Sequence, residues 1–216
     1  MISKPKKLLF LVSKPRVVRF LISSYYSGYL KDVGWFNSFE KKEPLDADGD
    51  PVAWVTYPFM HFIEPRLDMI ESIFEYGSGN STLYYSSFVG ELVSVEHDRA
   101  WFEGVSRSMP ENVQLYYCDL DENGEYSKFA NTLKKKFDLI IVDGRDRVNC
   151  IKNSLPALSD RGILVLDDSE REQYEGGAEY LREHGFKRID FWGFSPGLFY
   201  KKCTTIFYRD GNVLGI

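Results

Sequence analysis

The chain has 216 residues, 44% of them hydrophobic, which suffices for one domain with a sizeable buried core and is too apolar for intrinsic disorder. Its net charge of −5 conceals a division: residues 1–31 hold seven basic side chains (Lys4, Lys6, Lys7, Lys14, Arg16, Arg19, Lys31) and no acid, leaving 20 basic against 32 acidic residues, or −12, in the remainder. Three scattered cysteines, Cys118, Cys150 and Cys203, exclude a disulfide framework and a zinc site, and no apolar run approaches the ~18 residues that span a bilayer.

The opening stretch, MISKPKKLLFLVSKPR, has basic flanks, but its apolar centre Leu8–Val12 is too short for a secretory signal, so a cytoplasmic protein is expected. Within the basic segment Val17, Phe20, Leu21 and Tyr25 recur at helical spacing. A basic amphipathic helix can lie on an anionic membrane or dock on a partner; packing on the chain's own acidic domain is the favoured expectation. The lead-in that follows is rich in aromatics (Trp35, Phe36, Phe39, Trp54, Tyr57, Phe59), most of which are expected to pack against a sheet.

From about residue 70, β-rich runs alternate with helical patterns: 72–76, 92–96, 113–117, 137–143 and 162–167. A helix opening on Asp98 places Trp101, Val105 and Met109 on one face, and another holds Tyr174, Ala178 and Leu181 and stops at Gly185. This alternation predicts a parallel sheet with helices on both faces. The final stretch reads as two strands with no helix between them, so that pair is antiparallel.

The stretch FEYGSGNST, residues 74–82, sits where a doubly wound sheet binds its ligand, beyond the end of the first strand. Gly77 and Gly79 let the backbone approach a ligand closely. A dinucleotide fingerprint needs a third glycine at position 82, which is Thr82, and a P-loop needs a lysine that is absent. Glu75 repels phosphate and favours a cationic group. The loop therefore suits a ligand that bears adenosine and lacks a pyrophosphate. Glu96, ending the second strand, can accept from both ribose hydroxyls, and Asp119, after the third, from an adenine amino group. His97 either touches adenine or starts a helix.

Glu75-Tyr-Gly77-Ser-Gly79, Glu96 and Asp119, together with FDLIIVDG and GILVLDD at the fourth and fifth strands, resemble the class I S-adenosylmethionine-dependent methyltransferases over roughly residues 68–210. The resemblance implies an α/β doubly wound, seven-stranded, mostly parallel sheet of order 3-2-1-4-5-7-6 with an antiparallel last strand. It implies that Glu75, Gly77, Ser78, Gly79, Ser81, Glu96, His97 and Asp119 hold S-adenosylmethionine. The stretch from Gly34 to Leu67 is also similar to the lead-in of bacterial methyltransferase-like proteins. The chain then divides into residues 1–67, a basic helix with an aromatic cap, and 68–216, the methyltransferase domain.

Three acids end the fourth and fifth strands: Asp143, Asp167 and Asp168. The arrangement is similar to catechol-type and macrolide-sugar O-methyltransferases, in which acids at these positions bind Mg²⁺ beside the acceptor hydroxyl. Alternatively Asp143 or Asp146 acts alone as general base, or Asp168 caps a helix near Ser169 while Asp143 opens a turn with Gly144. No Asp/Asn-Pro-Pro-Tyr or Pro-Cys follows the fourth strand, and the acidic body opposes extended phosphate contacts, so nucleic acid is not expected as acceptor. A hydroxyl on a sugar or small metabolite is the expected target. GFSPG, residues 193–197, fits the hydrolase elbow Gly-x-Ser-x-Gly, yet Pro196 offers no amide N–H for an oxyanion, so Ser195 is not a nucleophile and belongs in a loop over the acceptor site.

Overall fold

Alternation within short apolar runs decides the architecture. In each run one set of side chains faces one layer and the intervening set the other, as a strand buried on both faces requires. The computed structural model describes residues 13–216; Lys4, Lys6, Lys7 and Leu8–Val12 lie outside them. Seven strands form one sheet: β1 (Ser72–Tyr76), β2 (Glu91–Glu96), β3 (Val113–Tyr117), β4 (Phe137–Val142), β5 (Leu158–Asp167), β6 (Lys187–Gly193) and β7 (Lys202–Tyr208). Their order is β3-β2-β1-β4-β5-β7-β6, as expected, with β1 to β5 parallel and β7 antiparallel to both neighbours. The fifth strand starts earlier than position 162, across a register irregularity between Phe137 and Leu139.

One face of the sheet, with Ile73, Leu92, Leu139, Ile141 and Val165, packs against the lead-in. That layer includes α2 (Tyr29–Asp32), α3 (Trp35–Lys41) and α4 (Tyr57–Ile63), and α1 (Pro15–Tyr26) precedes it without joining the core. Trp35, Tyr57, Phe59 and Ile63 are buried in this core, whereas Phe39 and Trp54 stay exposed. After β1 comes α5 (Asn80–Ser86), and after β2 comes α6 (Arg99–Val105). The opposite face, with Phe74, Val93, Ile140, Val142 and Leu164, is covered by α7 (Glu125–Thr132), α8 (Arg147–Ser154) and α9 (Glu175–Glu183).

Asp98 caps α6 as expected, accepting from the Trp101 amide at 2.9 Å. That helix stops at Val105 and tightens into a single turn over Ser106–Ser108, so it does not carry Met109 on one continuous face. Asp168 caps no helix: it sits at φ +52° in a turn, and α9 begins only at Glu175.

The basic helix departs from expectation. No residue of α1 is buried, and Phe20 is 69% exposed. The helix touches the body through Tyr25, whose hydroxyl donates to Glu40 at 3.3 Å and whose ring meets Phe36 edge-on at 4.9 Å. Its apolar residues are therefore not packed on the acidic domain.

Gly34 joins α2 to α3 at φ +72°, and a Cβ there would lie 2.0 Å from the Asp46 carbonyl carbon. Both the left-handed backbone and the backbone-to-backbone contact demand glycine. Gly34→Ala is expected to lower the urea unfolding free energy by roughly 2–4 kcal/mol, combining left-handed strain with overpacking; an unchanged midpoint would refute this packing.

Candidate active site

The glycine loop is shaped by contact between chain segments. Gly77 turns at φ +92°, and a Cβ on it would stand 3.2 Å from the Gly144 Cα, so the ends of β1 and β4 meet backbone to backbone. Thr82 is fully buried at the position where a dinucleotide fingerprint needs glycine. Its hydroxyl accepts from the Gly79 amide at 3.0 Å and donates to Glu75 Oε2 at 2.5 Å. The threonine thus latches the loop to the strand that precedes it.

Glu75 is 1% exposed. Burial pushes its carboxyl up to about 8, the Thr82 hydroxyl opposes that shift, and nearby Asp143 adds to it. It therefore holds a proton at neutral pH, which weakens its expected pull on a cationic group until such a group lies beside it.

Glu96 knits β2 to the same loop. Its Oε2 accepts from the Ser78 amide and hydroxyl, both at 3.1 Å, and its Oε1 from the His97 and Asp98 amides, both at 2.8 Å. Among these donors only the Ser78 hydroxyl can swing away to admit a ligand hydroxyl. His97 meets Tyr126 edge-on at 5.7 Å, with Nδ1 2.9 Å from Glu96. Trp101 turns toward the loop: its indole N–H donates to the Ser78 carbonyl at 2.7 Å, and its ring lies 3.6 Å from where a Gly79 Cβ would be. Its exposed indole is an aromatic wall that helical periodicity alone does not reveal. Asp119, expected to meet adenine, is exposed just beyond β3 and accepts from the Tyr117 hydroxyl, outside the cavity lining.

The three acids at the ends of β4 and β5 are met by cations from the chain itself. The Lys202 ammonium lies 2.8 Å from Asp167 and 2.7 Å from Asp168. Thr204 donates to Asp167 at 2.7 Å, and Arg171 lies 2.6 Å from Asp168. Arg147 reaches Asp143 Oδ1 at 3.0 Å and also binds the carbonyls of Asp143, Gly144 and Asp167. Burial pulls the Lys202 ammonium down, but Asp167 and Asp168 outweigh it and raise its pKa.

These contacts bear on the reading in which the three acids hold Mg²⁺. Lys202 takes the place between Asp167 and Asp168 that a metal ion would need, and among the described residues no cluster of three acid, histidine or cysteine side chains is placed to hold a metal. The Asp146 carboxylate is turned to the Asn123 amide and the Asn149 side chain, both at 2.8 Å. Asp143 alone of the four acids lines the cavity, with 26% of its side chain accessible.

That cavity, of about 520 Å³, lies between the glycine loop, the ends of β2 and β4, and the lead-in. Gly77, Ser78, Gly79, Ser81, Glu75, Glu96, His97 and Asp143 all line it, as do Trp101, Arg145 and Arg147. Lys42, Pro44 and Trp54 form the lead-in side, where the Trp54 amide donates to Ser81 Oγ at 2.9 Å. Ser195 is fully buried beside this wall, in a connection that accepts the Trp54 indole N–H at the Pro196 carbonyl, and no helix follows it.

A model of the family described as "Methyltransferase domain" matches residues 74–169, the span from the glycine loop to the turn after β5. That stretch, less than half of the chain, is thus similar to a methyltransferase domain. Solved structures share the methyltransferase fold across nearly the whole chain. The O-methyltransferase TomG from Streptomyces achromogenes, in complex with SAM, is 15% identical with a TM-score of 0.57, covering 90% of this chain and 96% of that one. A putative caffeoyl-CoA O-methyltransferase from Staphylococcus aureus is 13% identical with a TM-score of 0.55, covering 89% and 98%. An rRNA methylase from Streptococcus thermophilus is 14% identical with a TM-score of 0.51, covering 73% and 100%. Among curated proteins none matches the sequence.

The candidate site carries its own pH test. Because folding raises the Glu75 pKa from its ordinary 4.5 to about 8, its favourable contribution is complete below the lower value and is lost as pH rises through the higher. Glu75→Gln is expected to flatten the fall in stability across that window by roughly 1.4 kcal/mol per pH unit, read from urea unfolding at a series of pH values. Equal slopes for the two proteins would contradict a protonated Glu75.

Proposed function

We propose that the domain transfers a methyl group to an oxygen of a small-molecule or carbohydrate acceptor. The observation that carries this reading is Asp143, the one of the acids at the ends of β4 and β5 that faces the cavity, anchored through one carboxylate oxygen by Arg147. S-adenosylmethionine supplies, when bound, an electrophilic methyl group on a sulfonium. Glu96 and Ser78 would hold the ribose, Trp101 and His97 the adenine side, and Gly77, Gly79, Ser81 and Glu75 the amino-acid end. The glycines fit such a ligand because Gly77 turns at φ +92°, a backbone that side-chain-bearing residues rarely adopt, and a Cβ there would crowd Gly144 at 3.2 Å.

Asp143 would accept the acceptor hydroxyl's proton at the carboxylate oxygen not bound to Arg147. Its pKa is raised by burial and then by Asp167, with Arg147 pulling it back, which matches a base that works near neutrality. Trp54 at the rim supports an acceptor with a flat or sugar face. Most of the rate would come from holding the acceptor in line, since approximation dominates such sites. The acidic body supports a small acceptor over a nucleic acid, whose phosphates it would repel.

Calorimetry with S-adenosylmethionine and with NAD, followed by Asp143→Asn, tests this. The donor should bind and NAD should not. Asp143→Asn should keep donor binding while lowering turnover by about 10²–10⁴. For the unsubstituted enzyme, turnover should fall as pH drops through a pKa above the ordinary carboxylate range, because only ionised Asp143 accepts a proton. Full turnover by Asp143→Asn would remove it from the chemistry, and absence of donor binding would overturn the proposal as a whole.

A further inference from the structure

We propose that α1 docks this protein on an anionic lipid surface. At roughly 3.6 residues per turn, Val17, Val18, Leu21, Ile22 and Tyr25 fall on one side of α1, and Arg16, Arg19 and Ser23 on the other. Apart from Tyr25, which meets Phe36 and Glu40, that apolar side is left open: Leu21 is 47% and Ile22 58% exposed. An exposed apolar stripe flanked by cations is the form taken by helices that lie in a membrane interface, with arginines reaching the headgroups.

The occupant follows from charge. Residues 1–31 carry seven cations and no acid, against −12 in the rest of the chain. An anionic bilayer attracts the first and repels the second, which selects one orientation, whereas a neutral surface would not. A line of rings extends the surface away from α1. Tyr26 meets Tyr25 at 5.3 Å, Tyr25 meets Phe36 at 4.9 Å, and Phe36 meets Trp35 at 5.2 Å. Trp35 then meets Phe199 at 5.2 Å, and Phe199 stacks on Phe194 at 5.5 Å. Tyr26, Phe194 and Phe199 are exposed, and amphipathic or aromatic side chains of this kind favour the headgroup layer. The line ends in the connection whose Pro196 carbonyl holds Trp54, at the mouth of the cavity. Docking therefore brings that mouth close to the bilayer, where acceptors held at the surface come within reach.

The full chain is to be sedimented with vesicles of phosphatidylcholine plus phosphatidylglycerol, and with phosphatidylcholine alone, at low and high salt. Binding is expected only to the acidic vesicles and should weaken with salt. Arg16→Glu with Arg19→Glu, and separately Leu21→Asp with Ile22→Asp, should each reduce partitioning at least about tenfold. Unfolding midpoints should not move, since α1 buries no side chain. Equal sedimentation of wild type and variants would overturn the proposal. So would a lack of binding to the acidic vesicles, and a dimer, seen by light scattering, that Leu21→Asp with Ile22→Asp dissociates would then assign the face to a second copy.

Discussion

Three carboxylates converge where β4 and β5 end, and their mutual repulsion is the constraint to which the rest of the site responds. Left alone in a poorly solvated position, they would take up protons or move apart. Arg147, Lys202 and Arg171 hold them instead, with contacts of 2.6–3.6 Å. The three cations come from three places: the start of α8, the start of β7 and the turn after β5. The antiparallel insertion of β7 beside β5 is what delivers Lys202, since Asp167 pairs in register with Thr204. Topology and charge balance are thus one arrangement, and removing a single partner leaves a buried charge uncompensated.

Once Asp167 and Asp168 are engaged in this way, the cavity receives a single acid from that edge. Arg147 also ties the β4 and β5 ends through backbone carbonyls, which keeps the Asp143–Gly144 turn against Gly77. On the other side of the cavity, Thr82 and Glu96 perform the equivalent task for the glycine loop. Their hydrogen bonds satisfy the Ser78 and Gly79 amides before any ligand arrives. The site is therefore pre-formed on strand ends, and what differs from a dinucleotide site is a latch at position 82 in place of close glycine packing.

Much of this was legible in the sequence because it rests on local pattern. Strand ends come from alternation and from apolar runs that stop at acids, and the order of the sheet from strand–helix alternation plus the resemblance. Glu75, Gly77, Gly79, Ser81, Glu96 and Asp143 line the cavity as their positions implied. The rest depends on partners distant in the chain. Lys202 reads as an ordinary lysine at the start of an apolar strand, and only the β5–β7 register places it between two acids. Trp101 shows a helical period that points to a packed face, yet its indole N–H finds the Ser78 carbonyl across the loop. Asp119 and Asp146 sit at apt sequence positions but are taken by neighbours, Tyr117 for one and Asn123 with Asn149 for the other. The amphipathic pattern of α1 was visible, but whether its apolar side meets the body is a matter of tertiary space.

The central claim is that Asp167 and Asp168 serve as counter-ions for Lys202. A double-mutant cycle on unfolding free energy, with Lys202→Met, Asp167→Asn and the double variant, tests it most directly. Lys202→Met alone should destabilise by roughly 3–5 kcal/mol, because it leaves the buried Asp167 carboxylate without a cation and Asp168 with its arginine contacts only. The double variant should recover part of that loss, with a coupling of about 1–3 kcal/mol. Additive effects, or a Lys202→Met protein as stable as the original, would contradict it.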